Sequence, residues 1–152
     1  PIAPSHSGYF GALLGPLFGA RGARGVVIDA GCRDVDDLQQ MGFPVWAREI
    51  CAHGTVKETV GDVNVPISCG EVVVNPGDVV VADNDGVVIV PRLAAAEVAE
   101  KSAARIAREE KVRARYGAGE LGIDINDMRP RLKEKGLTYI DQASWLANGG
   151  KA

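Results

Sequence analysis

The stretch Gly25-Val-Val-Ile-Asp-Ala-Gly-Cys-Arg-Asp-Val-Asp-Asp-Leu38 constrains this chain more than any other. Val26, Val27 and Ile28 form a short β-branched run of the kind that fills a buried strand. The run breaks at Ala30-Gly31 and delivers Cys32, Arg33 and Asp34 at the strand's carboxyl end. Residues 35–40 then read as a helical turn with acidic residues at its start, where the helix dipole favours them. A guanidinium and a carboxylate side by side on such a turn can do two jobs. Arg33 can hold a carboxylate or a developing enolate, and Asp34 can hold a hard divalent metal. The same pair can equally be a surface ion pair or a helix cap, and the local pattern leaves both open.

A chain of 152 residues, 46% apolar and 24% charged, has the size and usage of one globular domain. Its 17 basic and 20 acidic residues give a net charge of −3, so bulk charge offers no reason to expect a nucleic-acid partner. No apolar run approaches membrane-spanning length and no signal peptide is visible, so no membrane partner is expected. Cys32, Cys51 and Cys69 are odd in number and lack CxxC spacing. They fit the reduced thiols of a cytoplasm better than a disulfide framework or a zinc site. The chain opens at Pro1 and enters an apolar, glycine-containing segment within a few residues, which suggests that an N-terminal portion precedes it.

In chain order, Gly8-Tyr-Phe-Gly-Ala-Leu-Leu-Gly15 reads as a glycine-rich loop running into a helix that ends near Gly22 or Gly25. Such a loop lets a ligand approach the backbone, and free N–H groups at a helix start attract anions; a tightly packed helix start would look the same. Residues 43–50 read as a strand, followed by short β segments over 53–60, 63–68, 71–74 and 78–82, and a last one over 87–90 stopped by Pro91. The two runs flanking Asp83-Asn-Asp-Gly86 give the clearest hairpin signal. From Leu93 the period changes to 3.6, predicting a long helix to Tyr116-Gly117, then a shorter one over 123–135 that Gly136 stops. Together these make 93–135 a C-terminal helical segment of the same domain. Residues 137–140 read as a docking strand or tail, and 148–152 as disordered. His6 and His53 lack an HxH or HExxH companion, so His53, placed in a strand, reads as a packing or hydrogen-bonding residue. Cys32 sits beside Arg33, which can lower a thiol's pKa, but without a histidine nearby in sequence it reads as a small packing residue.

Several stretches recur together, in order: residues 25–38, Phe43-Pro-Val-Trp46, Val63-Asn-Val-Pro-Ile67, the run from Asn75 to Gly86, and Gly119-Glu-Leu-Gly-Ile-Asp124 followed by Met128-Arg-Pro-Arg-Leu132. They resemble the 4-hydroxy-4-methyl-2-oxoglutarate/4-carboxy-4-hydroxy-2-oxoadipate aldolases, within the wider RraA-like family named after the regulator of ribonuclease activity A. The strongest motif is Gly31-Cys-Arg-Asp34, and the resemblance runs from about Gly8 to Ile140.

The resemblance implies a class II pyruvate aldolase of bacterial aromatic-acid breakdown, with oxaloacetate decarboxylation as a side activity. Asp34 would ligate Mg²⁺ or Mn²⁺, with waters completing much of the shell. Arg33 would contact the keto or enolate oxygen of a 2-oxo acid substrate. The backbone of Gly11, Ala12, Leu13 and Leu14 would bind the pyruvate carboxylate through N–H groups around Leu13 and Leu14. Glu109 resembles an acid that the long helix contributes to a neighbouring subunit's metal–water network. In one departure, Ala12 stands where many relatives carry Asp or Glu.

The resemblance further implies an α/β fold: an αββα sandwich like the swivelling phosphohistidine-type domain, assembled as homotrimers or homohexamers. The family also contains ribonuclease regulators, which act by protein–protein contact without a metal. A binding protein of that kind is the competing reading, and the Arg33-Asp34 pair favours the aldolase.

Overall fold

The computed structural model describes residues 5–150. The chain divides into two compact units, Pro1–Ala96 and Glu97–Ala152.

The first unit is built on three parallel strands, β1 (Gly8–Phe10), β2 (Val26–Cys32) and β3 (Val45–Ile50), in the order β1-β2-β3. The β-branched run at 26–28 therefore lies in the central strand. Helix α1 (Leu14–Ala20) joins β1 to β2, and α2 (Val35–Gln40) joins β2 to β3. Both connections are the crossovers that parallel neighbours require. Gly8 to Phe10, expected as part of a loop, is a strand because it pairs with the end of β2, Gly8 opposite Gly31 and Phe10 opposite Cys32.

The core of this unit is where the helices meet the sheet. Phe10, Cys32 and Leu38 are each 3–4% exposed, with Leu14, Val26, Ile28, Phe43, Val45 and Ala47 packed around them. Phe10 meets Phe18 edge-on at 5.4 Å and stacks on Phe43 at 5.9 Å. Such ring pairs add on the order of 1 kcal/mol each beyond the area they bury.

Two antiparallel hairpins complete the unit: β4 (Ile67–Cys69) with β5 (Val72–Val74), and β6 (Val79–Ala82) with β7 (Val87–Val90). Gly70 and Glu71 turn the first with φ of 57° and 65°, the pair of positive values a type I′ turn demands. Asp83 turns the second, its Oδ1 accepting the Asp85 and Gly86 amides at 2.8 and 3.3 Å. The Asp83 carbonyl also accepts the Trp46 indole N–H at 2.7 Å, tying the hairpin to β3.

Residues 53–60 and 63–66 were expected as strands and form none. Their local β-propensity finds no ladder partner: Val56, Val60 and Val63 are 78–94% exposed, so nothing rewards an extended pairing.

The second unit is helical. Helix α3 (Ala95–Gly117) begins just before the boundary and follows a short 3₁₀ turn, Arg92–Ala94. Its surface carries the i,i+4 pairs Glu97–Lys101 and Arg105–Glu109, and none of its residues is buried. The single helix expected over 123–135 is two, α4 (Gly122–Ile125) and α5 (Arg129–Glu134). Asp127 between them adopts φ 48°, which no helix interior accommodates, and Pro130 suits the first turn of a new one. Arg129 joins the two by pairing with Asp124 while lying 5.2 Å over the Tyr139 ring. Residues 137–140 form no strand; they lead into α6 (Gln142–Ala147), capped by Asp141, whose carboxylate accepts the Ser144 amide at 2.9 Å. Of the tail expected to be disordered, 148–150 form a turn after α6, and the last two residues lie outside the described range, as does Pro1. No helix among the described residues is long and apolar enough to cross a membrane.

Candidate active site

Parallel strands collect the loops that follow them at one edge of the sheet, where ligands bind in open α/β sheets. Here the loop after β1 carries Gly11, Ala12 and Leu13, and the end of β2 carries Arg33 and Asp34. The two are bonded together. The Arg33 amide donates to the Phe10 carbonyl at 2.9 Å, and the Ala12 amide donates to Asp34 Oδ2 at 3.1 Å.

Asp34 holds φ 57° and ψ 42°, the left-handed conformation, at the start of α2. Its side chain does not cap the helix and turns toward the β1 loop instead. Backbone conformations of this kind are uncommon outside glycine and cluster where a side chain must be aimed. Arg33 Nε lies 3.8 Å from Asp34 Oδ2, too far for a hydrogen bond but close enough for the charges to interact. The Arg33 guanidinium donates to no described residue, so its fork is available to an anion.

Gly11 makes this closeness possible. A Cβ there would sit 2.5 Å from Asp34 Oδ2 and 3.2 Å from Arg33 Nε. Gly31 serves the neighbouring crossing, where a Cβ would lie 2.6 Å from both the His6 and Ser7 carbonyl oxygens. In both places the strands approach as closely as they do because a side chain is absent.

The structure thus brings together Gly11, Ala12, Leu13, Leu14, Arg33 and Asp34. Of the amides expected to bind a carboxylate, that of Leu14 donates to the Gly11 carbonyl at 3.0 Å and that of Ala12 to Asp34, while the Leu13 amide donates to no described backbone oxygen. Glu109 belongs to the second unit, where Arg105 donates to it at 2.6 Å and holds its carboxyl below the usual range.

Cys32 is buried, and burial pushes its thiol pKa up despite the Arg33 beside it, which agrees with a packing role. His53 lies in the loop after β3 and not in a strand. Its carbonyl accepts the Gly8 amide at 2.7 Å, a backbone bond to β1 of which sequence periodicity gives no sign.

Among the described residues no group of three or more His, Cys, Asp or Glu side chains converges as a metal cage. Asp34 nevertheless suits a hard cation: Oδ2 is steered by the Ala12 amide, and Oδ1 accepts no hydrogen bond from a described residue. Mg²⁺ is commonly held by one or two carboxylates and keeps several waters.

A cavity of about 680 Å³ lies elsewhere, between β2–β3 and the two hairpins. Valine and isoleucine side chains line much of it beside Arg24, Arg48 and Asp29, and Asp29 accepts from Arg48 at 2.7 Å and from the Gly70 amide at 3.2 Å. Arg33 and Asp34 do not line it.

Residues 3–89 match the family model RraA-like, described as Aldolase/RraA. An uncharacterised protein of Methanocaldococcus jannaschii is 36% identical over 108 residues, 71% of this chain and 50% of that protein. A Halalkalibacterium halodurans protein named "Putative 4-hydroxy-4-methyl-2-oxoglutarate aldolase" is 36% identical over 89 residues, 59% of this chain and 42% of that protein. Among solved structures, an uncharacterised protein of Pseudomonas syringae pv. tomato matches with TM-score 0.71 and 27% identity over 77% of this chain and 59% of that one. Streptomyces coelicolor RraAS2, described as an unusual member of the RNase ES inhibitor RraA protein family, matches with TM-score 0.65 and 32% identity over 72% of this chain and 57% of that one. The chain spans about half the length of the curated relatives it matches.

Proposed function

The chain belongs to the RraA-like family, Aldolase/RraA, and has its mixed α/β fold; from that premise we propose that it is a divalent-metal-dependent pyruvate aldolase. Its substrates are 4-hydroxy-2-oxo acids, 4-hydroxy-4-methyl-2-oxoglutarate and 4-carboxy-4-hydroxy-2-oxoadipate, cleaved to pyruvate plus pyruvate or oxaloacetate in cytoplasmic aromatic-acid breakdown. The observation that carries the reading is the uncommitted Arg33 guanidinium beside a left-handed Asp34 whose carboxylate is half occupied.

Retro-aldol cleavage removes the 4-hydroxyl proton, breaks the C3–C4 bond and leaves the pyruvate enolate. Arg33 supplies fixed positive charge where that enolate oxygen develops, and a preorganised charge aimed at that position lowers the barrier. The backbone from Gly11 to Leu14, with the Leu13 amide uncommitted, orients the substrate carboxylate. Asp34 would hold Mg²⁺ or Mn²⁺, which when bound supplies Lewis-acid polarisation of the 2-keto oxygen. Oxaloacetate decarboxylation leads to the same enolate and is the expected side activity. Glu109 is assigned to the metal–water network of a neighbouring copy in a homotrimer or homohexamer.

The test couples pyruvate release from 4-carboxy-4-hydroxy-2-oxoadipate to NADH oxidation by lactate dehydrogenase, with Mg²⁺, with EDTA, and for Asp34→Ala. Release that needs the metal and disappears in the variant supports the aldolase. The likeness to an RNase ES inhibitor relative favours a second reading, a regulator that acts by protein contact. Folded protein that releases no pyruvate under any of these conditions would move the assignment there.

A further inference from the structure

A guanidinium can hold a substrate anion only while no acceptor in its own chain competes for it, and the loop after β3 passes close to Arg33. We infer that Gly54, in that loop, determines what Arg33 can bind. By carrying no side chain, it leaves the outer end of the guanidinium open to the carboxylate or enolate of a small 2-oxo acid. The identity of that anion rests on the aldolase reading above.

The loop is pinned where it passes the site. The Cys51 amide donates to the Cys32 carbonyl at 2.9 Å, and the Gly8 amide donates to the His53 carbonyl at 2.7 Å. Arg33 runs along bare backbone that three segments supply. A Cβ on Gly8 would lie 3.4 Å from Arg33 Cβ and Cδ, and one on Gly11 would lie 3.0 Å from Cγ and 3.2 Å from Nε. A Cβ on Gly54 would lie 3.7 Å from Nη1. Gly8 and Gly11 thus adjoin the stem of the side chain, and Gly54 adjoins the end that carries its free N–H groups.

Gly54 differs from the other two in what requires it. A Cβ on Gly8 would lie 2.5 Å from the Cys51 carbonyl oxygen, and one on Gly11 2.5 Å from Asp34 Oδ2, so crowding alone excludes a side chain at both. At Gly54 the backbone lies outside the left-handed region that favours glycine, and 3.7 Å is an ordinary van der Waals distance. Neither strain nor crowding accounts for a glycine there. Chain neighbours apart, Nη1 is the one described atom within 4 Å of that Cβ position. The Arg33 side chain is 45% exposed, and its one charged contact among the described residues is Asp34 at 3.8 Å. An acceptor on the side chain of residue 54 would therefore take the N–H groups that an arriving anion needs.

The experiment compares the wild-type chain with Gly54→Ala, Gly54→Asn and Gly54→Asp, measuring oxalate binding in Mg²⁺ by calorimetry, pyruvate release and melting temperature. Oxalate is the probe because its planar dianion has the shape and charge of the pyruvate enolate. Alanine fits the space and cannot accept a hydrogen bond, so its oxalate affinity should stay close to wild type. Its melting temperature should hold or rise, as expected where a glycine of ordinary backbone conformation becomes alanine. Aspartate can pair with the guanidinium, so affinity should fall by at least about tenfold, as loss of a charge-assisted bond implies. Asparagine, of the same size without the charge, should lie between them. Equal losses in all three variants, or wild-type affinity in Gly54→Asp, would overturn the role of Gly54. So would melting temperatures that fall in step with affinity, because the loss would then be one of structure. A wild-type chain that binds no oxalate overturns the open anion site itself. One that binds oxalate yet releases no pyruvate overturns the aldolase reading, and the binding series then still decides what Gly54 does.

Discussion

Ala12 and Asp34 are 22 residues apart in sequence, yet the Ala12 amide donates to Asp34 Oδ2 at 3.1 Å. This bond locks the loop after β1 to the end of β2, and it exists because Asp34 adopts a left-handed backbone and Gly11 offers no side chain in its way. The same bond occupies one carboxylate oxygen and leaves the other open. A sequence departure at position 12 therefore leaves the backbone half of the arrangement intact, since the contact comes from the amide and not from the side chain.

Replacing Gly11 with alanine tests that bond directly. The new Cβ would meet Asp34 Oδ2 at 2.5 Å, and the carboxylate, at the end of a rotatable side chain, must swing away. The expected result is a loss of turnover of at least about tenfold, since a misplacement of about 1 Å can cost a hundredfold. Melting temperature should change little, because a surface carboxylate can move without disturbing the core. Steady-state kinetics beside a thermal melt will separate the two.

Glu109→Gln addresses the second unit. Arg105 and neighbouring arginines hold the Glu109 carboxyl below its usual range, so it is charged throughout the working pH range. The pair is exposed on the helix surface, where such pairs contribute little to stability. If Glu109 serves a neighbouring copy's site, the substitution lowers turnover and leaves the melt unchanged. Unchanged kinetics would remove it from the chemistry.

The fold was most legible where the local signal and the tertiary partner agree. Val26 to Ile28 and the turn Asp83-Asn-Asp-Gly86 carry their structure in their own residue types, and both form as strand and turn, although the run at 26–28 is not buried as expected and Val27 is exposed. The stretch 53–66 carries β-branched residues too, but pairing is a property of two segments and its partner is missing. Arg33 and Asp34 could be singled out because they are adjacent. The contact that makes them a site, from the Ala12 amide to the Asp34 carboxylate, joins two loops through a backbone donor, and such a bond leaves no mark on residue type.

The ion pair beside the large cavity sets a pH dependence. The Gly70 amide and Arg48 hold the Asp29 carboxyl below the usual carboxylate range. A pKa depressed by folding adds stability above the unfolded value of about 3.9, and that stability is lost as pH falls through the folded pKa. Asp29→Asn should therefore lower the melting temperature at pH 7. The gap between variant and wild type should close as pH falls below about 4, as a series of thermal melts would reveal.

Gly31→Ala probes the sheet. Here the obstructing atoms are backbone, the His6 and Ser7 carbonyl oxygens, each 2.6 Å from the new Cβ. Neither can rotate away as a carboxylate can, and the Ser7 carbonyl also accepts the Gly31 amide at 3.0 Å. The start of β1 must lift off β2, weakening the pairing of Gly8 with Gly31 and of Phe10 with Cys32. Overpacking of this kind costs on the order of 1–3 kcal/mol. The expected result is a clear drop in the urea midpoint together with lost activity, because β1 also carries the loop that holds Asp34. Gly11→Ala, by contrast, should lose activity alone. If the two variants were equally stable, β1 would not be held by its crossing at Gly31, and the site would have to be positioned from β2 alone.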